Sequence, residues 1–345
     1  MRETTRRPKC LGRLGRVVYT CERESRNIDT RDRVRKTAKS KRPQTRNATK
    51  LLTGAYCRSL PRCGIANGPR IVGGQQVNPK NKYPWIVGLN ILPVTNRTLY
   101  DCVGSIINDL YILSAAHCLF DQDTLVQLDA SSVMVGIGDH NQLSTDDDVE
   151  GITRQIEVEE IKIFSQFSIV NVDFDIALLK LKEPLDFTPK EIGPICLPKD
   201  DTQTYGGDQG VVVGWGITKE GEINQPAILM EVELPILPAA VCETMMVNFF
   251  DITERMICAS VEGGKDACEG DSGGPLSVVE GEQHIVVGVS AFGEGCARDK
   301  PGVYSRVMEN QWNMQFILDQ LVTMQQRQGT FYSSQQTVLT QQDMV

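Results

Sequence analysis

The chain has 345 residues, 41% of them hydrophobic, so it is long enough to bury one large core and to carry extensions. It contains no run of 18 apolar residues, and no membrane-spanning helix is expected. The formal net charge of −8 is unevenly divided. Residues 1–70 hold 20 Lys and Arg against 5 Asp and Glu, whereas residues 71–345 hold 16 against 39.

The basic N-terminal part, residues 1–62, is dominated by Arg, Lys, Thr and Asn and has few large apolar side chains. Such a segment cannot bury enough apolar surface to offset its ordering entropy. We therefore expect residues 1–70 to form a flexible basic segment. Binding of residues 1–62 to heparin-like polyanions is the functional alternative to a merely solvated segment.

The eleven cysteines indicate an oxidising compartment. Sequons that begin at Asn47 and Asn96 are typical of glycosylated secreted proteins. The first 40 residues nevertheless lack the apolar core of a signal peptide. Because we give the cysteine pattern more weight, we expect a secreted protein whose N-terminus is incomplete.

Between Ile71 and Tyr304, short β-branched and aromatic runs alternate with turn residues, a pattern typical of an all-β sandwich or barrel. The clearest runs are 85–91, 105–114, 152–158, 210–215, 230–234 and 284–289. After Val307 the apolar residues take a helical period, which predicts an amphipathic helix at Met314, Ile317, Leu318 and Leu321. Residues 323–345 are Gln-rich and expected to be disordered.

The most informative segment is Asp266–Pro275, with the sequence DACEGDSGGP. Its glycines permit the tight backbone that exposes Ser272 and brings N–H groups close to a reacting carbonyl. A serine needs a base and an orienting carboxylate to become a nucleophile. His117, in LSAAHC, and Asp175, in DIALLK, are the candidates for these roles.

Taken in order, the segment Ile71–Gly74 with His117, Asp175 and Ser272 resembles the motifs of trypsin-like serine proteases of the chymotrypsin fold. The resemblance covers roughly residues 63 to 322. It implies an all-β protein with two six-stranded antiparallel β-barrels, the active site between them, and a C-terminal α-helix. It also implies that the protease domain occupies residues 71–322.

The resemblance implies a role for each catalytic residue. Ser272 would attack the scissile carbonyl, His117 would carry its proton, and Asp175 would orient the imidazole. Asp173 lies only two residues from Asp175, but the Ile-Ala-Leu-Leu run selects Asp175. The backbone N–H groups of Gly270 and Ser272 would bind the oxyanion.

The resemblance also implies an activation step. Ile71 directly follows Arg70, and in the family cleavage there frees an α-amino group, which here would pair with Asp271. A buried carboxylate without a cation is costly, so the oxyanion loop is expected to be misaligned until Ile71 is free. An activating protease is therefore an expected partner.

The specificity pocket is the next implied feature. Its residues are Asp266 at the base, Ala267, Gly293 and Gly302, with Glu269 and Glu294 at the mouth. Because Ala267 stands where lysine-accepting relatives carry a serine, the carboxylate is expected to favour a guanidinium over an ammonium. Cleavage after Arg in preference to Lys follows. The two glutamates would disfavour acidic substrates, or are simply solvated charges.

Four disulfides are implied by the resemblance: Cys102–Cys118, Cys242–Cys258, Cys268–Cys296 and Cys63–Cys196. The last would keep the cleaved propeptide, residues 1–70, attached to the protease domain. Cys10, Cys21 and Cys57 form an odd remainder whose pairing stays open.

Segment 138–148 resembles the calcium loop of the family. Asp139, Asn141, Asp146 and Glu150 would supply the hard oxygen ligands that Ca²⁺ prefers, and an acidic solvated loop is the alternative. No cofactor is required for the expected chemistry. Pro301 stands where sodium-activated relatives carry an aromatic residue, so we expect no activation by sodium.

Two residues depart from the family's pattern. Ala291 stands where a serine usually supports the catalytic aspartate, and Phe292 replaces the usual tryptophan. The expected function remains an Arg-directed endopeptidase of a regulatory cascade, with protein substrates and protein protease inhibitors as partners. The alternative is a non-catalytic homologue whose cleft binds a partner.

Overall fold

A computed structural model describes residues 63–69, 74–91, 99–199, 202–218, 221, 224–259, 267–295 and 299–307. Within them lie thirteen β-strands and one α-helix, α1 (Ala239–Met246). The strands β1 to β13 are Gln75–Gln76, Ile86–Ile91, Cys102–Ile106, Tyr111–Ser114, Val133–Ile137, Arg154–Ile163, Ala177–Leu181, Gln209–Gly214, Met230–Pro235, Met256–Ala259, Pro275–Glu280, Gln283–Phe292 and Gly302–Arg306. No helix of this described part is long and apolar enough to cross a lipid bilayer.

The first six-stranded barrel is closed and antiparallel, with the strand order β2-β3-β4-β7-β6-β5. Alternate side chains of a strand point to opposite faces, so each strand sends apolar residues into the barrel. The interior face is filled by side chains with at most 1% exposure: Val87, Leu89, Ile106, Ile112, Val135, Ile137 and Leu179.

One predicted run, 105–114, is two strands and not one, which corrects the sequence-based interpretation. The side-chain oxygen of Asn108 accepts hydrogen bonds from the N–H groups of Leu110 and Tyr111, both at 2.8 Å. This turn, formed by an asparagine bonded to its own following backbone, folds β4 back onto β3 as a hairpin.

The second sheet has seven strands among the described residues, in the order β1-β9-β8-β11-β12-β13-β10. The chain that continues from β9 approaches β10 at the other edge, since Leu237 N donates to Cys258 O at 2.8 Å and Ile236 forms a β-bridge with Ala259. The predicted two-barrel, chymotrypsin-like fold is confirmed, with β1 as an added short strand. The predicted C-terminal helix lies outside the described residues, and α1 was not predicted.

Tyr100 joins the first barrel to the second sheet. A Cβ added to Gly88 of β2 would lie 2.2 Å from the Tyr100 ring, so only glycine allows this close approach. The same ring packs against Trp215 with centroids 5.0 Å apart. The tyrosine is 3% exposed, so this contact is a buried connection between the two halves of the domain.

Residues 63–69 are the part of the predicted propeptide that the structure describes, and they pack onto the protease domain. Gly64 N donates to Pro194 O at 2.7 Å, and His284 N donates to Gly64 O at 2.8 Å. A disulfide joins Cys63 to Cys196 with an S–S distance of 2.03 Å. These residues are therefore an ordered part of the domain surface.

Candidate active site

His117 and Asp175 meet at one end of the first barrel. His117 follows β4 and Asp175 precedes β7, and these strands are paired with Ser114 opposite Ala177. The His117 backbone N–H donates to Asp175 Oδ1 at 2.7 Å, and the ring Nδ1–H donates to Oδ2 at 2.6 Å. Asp175 is fully buried, so its carboxylate holds both the backbone and the ring of His117.

This pairing sets the charge behaviour of the imidazole. Burial lowers the pKa of His117, but the charge of Asp175 and its hydrogen bond raise it, and the net result lies above the ordinary value. The Nδ1–H bond to Asp175 leaves Nε2 as the basic nitrogen of the neutral ring. The histidine side chain is 20% exposed, so it remains open to a substrate.

Ser272 lies on the turn that precedes β11 in the second sheet. Its carbonyl accepts a hydrogen bond from Val103 N at 2.8 Å. Val103 adjoins Cys102, whose disulfide partner Cys118 directly follows His117. The serine and the histidine therefore lie on adjoining edges of the two halves. Among the described residues no hydrogen bond joins Ser272 Oγ to His117, and such bonds are often long in substrate-free enzymes.

The turn before Ser272 leaves two backbone N–H groups available. Gly270 has φ +97°, and a Cβ there would lie 2.2 Å from Gln225 Nε2. Within the described part of the chain, the N–H groups of Gly270 and Ser272 donate to no backbone carbonyl. Two unpaired donors beside a serine are what an oxyanion site requires.

A cavity of about 230 Å³ opens beside Ser272. Its wall includes four predicted residues, Ala267, Glu269, Gly293 and Gly302. Asp266, predicted at the base, lies outside the described residues. The cavity is also lined by Ser290 and Tyr304, which sequence reasoning missed because strand residues carry no local signal of facing a pocket.

The comparisons with known proteins settle the family. The Trypsin family model matches residues 71–312. The chain belongs to the trypsin family. Similar proteins include bovine (Bos taurus) coagulation factor XI, 37% identical over 242 residues, or 70% of this chain and 36% of that protein. The proclotting enzyme of Tachypleus tridentatus is 34% identical over 256 residues, or 72% of this chain and 66% of that enzyme.

A third relative is the human (Homo sapiens) transmembrane protease serine 5, 33% identical over 242 residues, or 70% of this chain and 50% of that protein. The chain thus spans between about a third and two thirds of the length of these relatives.

Asp271, the expected partner of a freed Ile71, is buried directly beneath the oxyanion turn. Its carboxylate accepts hydrogen bonds from Gly216 N at 2.8 Å and Cys268 N at 3.0 Å. Desolvation raises its pKa to about 6, and the two backbone bonds only partly oppose this. Arg70 and Ile71 lie outside the described residues, and no ion pair within the described part involves Asp271.

The structure also forms the disulfides Cys102–Cys118 and Cys242–Cys258. Cys268 is disulfide-bonded as well, and its predicted partner Cys296 lies outside the described residues, as do the sequons at Asn47 and Asn96. The sulfurs beside His117 converge with its ring, but a disulfide offers no thiolate to a metal.

Of the four predicted calcium ligands, the three carboxylates Asp139, Asp146 and Glu150 do not converge within the described structure. Asp139 Oδ2 accepts a hydrogen bond from Tyr100 OH at 2.5 Å, and Asn141 Oδ1 accepts from Leu143 N at 3.2 Å. Asp146 and Glu150 are exposed.

Two buried carboxylate oxygens of this loop bear on the question of a bound cation. Asp139 Oδ1 and Asp147 Oδ1 are buried without a hydrogen-bond partner. Burial comes first in raising the pKa of Asp139, and repulsion from Asp147 and Asp148 adds to it. Two carboxylate oxygens of this loop are thus buried without a hydrogen-bond partner, those of Asp139 and Asp147. Calcium binding here remains a proposal.

The departure at Ala291 is visible around Asp175, the predicted catalytic aspartate. Among the described residues, both hydrogen bonds that Asp175 accepts come from His117. Ala291 has no hydroxyl to donate and lies at a register shift between Ser290 and Phe292. The orientation of Asp175 therefore depends more heavily on its own backbone.

Proposed function

We propose that this chain is the zymogen of an extracellular serine endopeptidase that cleaves after Arg. The observation that carries the proposal is the buried Asp175 carboxylate, which holds His117 through the backbone N–H and Nδ1 at 2.7 and 2.6 Å. A buried carboxylate bonded to an otherwise open imidazole has the geometry of a catalytic base and its orienting group.

The proposed mechanism is that of the chymotrypsin-fold proteases. Ser272 Oγ attacks the scissile carbonyl while His117 Nε2 takes its proton, and the imidazolium that forms is stabilised by Asp175. The oxyanion is bound by the N–H groups of Gly270 and Ser272, each contributing about 3 kcal/mol to the stability of the transition state. His117 then protonates the leaving amine, and water hydrolyses the acyl-enzyme.

The proposed specificity rests on Asp266 and Ala267. A carboxylate at the base of the cavity binds a guanidinium through two parallel hydrogen bonds, whereas an ammonium binds as a point charge. Because Ala267 offers no hydroxyl, a lysine ammonium lacks one partner. The expected preference for Arg over Lys is about 1–2 kcal/mol, the value of one hydrogen bond.

The proposed activation is cleavage after Arg70. The new α-amino group of Ile71 would supply the cation that Asp271 lacks among the described residues, and would fix the turn that bears Gly270 and Ser272. Deprotonation of that amine, whose free pKa is near 8, would release it, so activity should fall at alkaline pH. The Cys63–Cys196 disulfide would keep the propeptide attached.

The cascade role and the location are further parts of the proposal. Disulfides persist in oxidising compartments, and two relatives are named coagulation factor XI and proclotting enzyme. Protein substrates, an activating protease and protein protease inhibitors are the proposed partners. Polyanion binding by residues 1–62 is a separate proposal, tested by heparin retention that falls with salt and with deletion of that segment.

A second candidate is a non-catalytic homologue that binds a partner through the cleft. It is favoured by Ala291, which provides no hydroxyl to support Asp175. The intact set of His117, Asp175 and Ser272 argues against it.

The deciding experiment compares matched Arg, Lys and Phe peptide amides before and after controlled cleavage at Arg70. Ser272→Ala is the control, since it removes the nucleophile and little else. Turnover of the Arg substrate only after cleavage, absent in the control, is the expected result. No turnover by cleaved, folded protein would favour the binding homologue.

A further inference from the structure

We propose that Arg255, on the second barrel, is a positioning residue for the catalytic aspartate, acting through Asp173 and Phe174. The inference rests on the proposed protease function and concerns a pair that lies 82 residues apart in the chain. Arg255 directly precedes β10, and Asp173 and Phe174 directly precede Asp175. The contact therefore crosses from one half of the domain to the other beside the proposed active site.

The first part of this contact is a forked ion pair. Arg255 Nε donates to Asp173 Oδ1 at 2.8 Å and to Oδ2 at 3.0 Å, and Nη2 donates to Oδ2 at 2.6 Å. Thr253 Oγ1 donates to Asp173 Oδ1 at 3.2 Å. Asp173 is buried and the Arg255 side chain is 22% exposed, so water screens the pair only in part. A planar guanidinium bonded in this way fixes direction as well as distance.

The second part is a sandwich around Phe174. Its ring stacks on Phe164 with centroids 4.9 Å apart and planes at 11°. The Arg255 guanidinium carbon lies 4.5 Å from the centroid of the Phe174 ring. A single arginine thus holds both residues that immediately precede Asp175.

The backbone at this point needs such restraint. Val172 has φ +47° and Phe174 has φ +57°, and side chains of these types rarely adopt the left-handed region. Such conformations persist only when the surroundings enforce them. Among the described residues, the surroundings on the second-barrel side include Arg255 and Thr253.

The position of Asp175 then follows from the turn. Its carboxylate accepts hydrogen bonds only from His117 among the described residues, and Ala291 provides no third donor. Loosening the turn would let the carboxylate move away from His117. Because misplacement by about 1 Å can cost a hundredfold in rate, turnover should fall while the substrate pocket around Gly293 and Gly302 is untouched.

The pH profile distinguishes positioning from a general structural role. Asp175 raises the pKa of His117, and burial lowers it. If the carboxylate moves away, the acid limb of kcat/KM shifts to lower pH. Loss of the Arg255 charge alone would leave the Asp173 carboxylate uncompensated, which would raise the pKa of His117 and move the acid limb to higher pH. A shift of the acid limb to lower pH therefore reports displacement of Asp175.

The test uses the activated enzyme and the variants Arg255→Ala and Arg255→Lys. The matched control is Arg154→Ala, which breaks an exposed pair with Glu183 at 3.3 Å. We expect Arg255→Ala to lower kcat by roughly ten- to a hundredfold, to change KM by less than about twofold, and to shift the acid limb downward. Arg255→Lys should recover part of the rate, and the control should match the wild type.

If Arg255→Ala does not fold, Arg255→Lys decides alone, because it keeps the charge but loses the fork. A variant that folds, keeps kcat within about twofold of wild type and leaves the acid limb unmoved would overturn the inference. That outcome requires an active wild-type enzyme. An inactive wild type would refute the proposed function instead.

Discussion

Replacing Asp271 by Asn in the uncleaved chain should make stability less dependent on pH. The folded-state pKa of this carboxyl is about 6, against 3.8 for an unperturbed group. The folded protein therefore prefers neutral Asp271. The stabilisation from the bound proton is fully present below pH 4 and is lost as the pH rises through about 6.

The size of the effect follows from the two pKa values. A difference of about two pKa units corresponds to a destabilisation of about 3 kcal/mol at pH 7, where the folded-state group is mostly ionised, and to less than about 1 kcal/mol at pH 4. Asn does not titrate. The unfolding free energy of Asp271→Asn minus that of the wild type should thus increase by about 2 kcal/mol from pH 4 to pH 7.

The assay is urea unfolding of Ser272→Ala single-chain protein, with and without Asp271→Asn, at pH 4 and pH 7. An asparagine NH2 group at the position of Asp271 Oδ2 would face the Cys268 N–H, which donates there in the wild type. This contact changes the unfolding free energy of the variant by the same amount at both pH values, so the change between pH 4 and pH 7 is the quantity to compare. After cleavage at Arg70 the sign should reverse, because the amine of Ile71 then favours the carboxylate. A difference that is equal at both pH values would refute a raised pKa of Asp271 in the zymogen.

Three further predictions can be checked separately. Ala267→Ser should raise kcat/KM for Lys relative to Arg substrates by about 5- to 30-fold, from one added hydrogen bond, measured with matched peptide amides. After activation the N-terminal fragment should remain attached through Cys63 and Cys196 on a non-reducing gel and separate on reduction. Gly88→Ala should destabilise the fold by about 1–3 kcal/mol through overpacking against Tyr100, measured by urea unfolding.

Each of these three predictions has a result that would contradict it. An unchanged Lys-to-Arg ratio would remove residue 267 from the specificity account, and a fragment released without reductant would refute the tether. The matched control for overpacking is Gly193→Ala, whose Cβ would meet Pro84 only at 3.9 Å. Equal stability of the two alanine variants would refute the steric argument.

The sequence predicted the fold class and the candidate triad because both depend on local signals. Short β-branched runs with turns between them indicate strands, and glycine-framed Ser272 has a recognisable context. The hairpin at Asn108 also had a local signal, an Asn-Asp pair inside an apolar run. Helix α1 had little local signal, because only Cys242 and Met246 are buried, and two residues are too few to define a helical apolar pattern.

Other features could not be read from the chain because they depend on long-range contacts. Asp173 and Arg255 are 82 residues apart, and nothing near either one indicates the other. In the acidic loop, the consecutive carboxylates Asp146, Asp147 and Asp148 do not reveal which of them is buried. Asp146 was predicted as a calcium ligand, but its neighbour Asp147 has the buried unpaired oxygen.

The most direct test of the catalytic account is covalent labelling of the serine. Fluorophosphonate should modify Ser272 in protein cleaved at Arg70, with one equivalent per chain located by peptide mass spectrometry. The uncleaved chain and cleaved His117→Ala should react far more slowly. Cleaved, folded wild-type protein that remains unlabelled would contradict the claim that His117 and Asp175 activate Ser272.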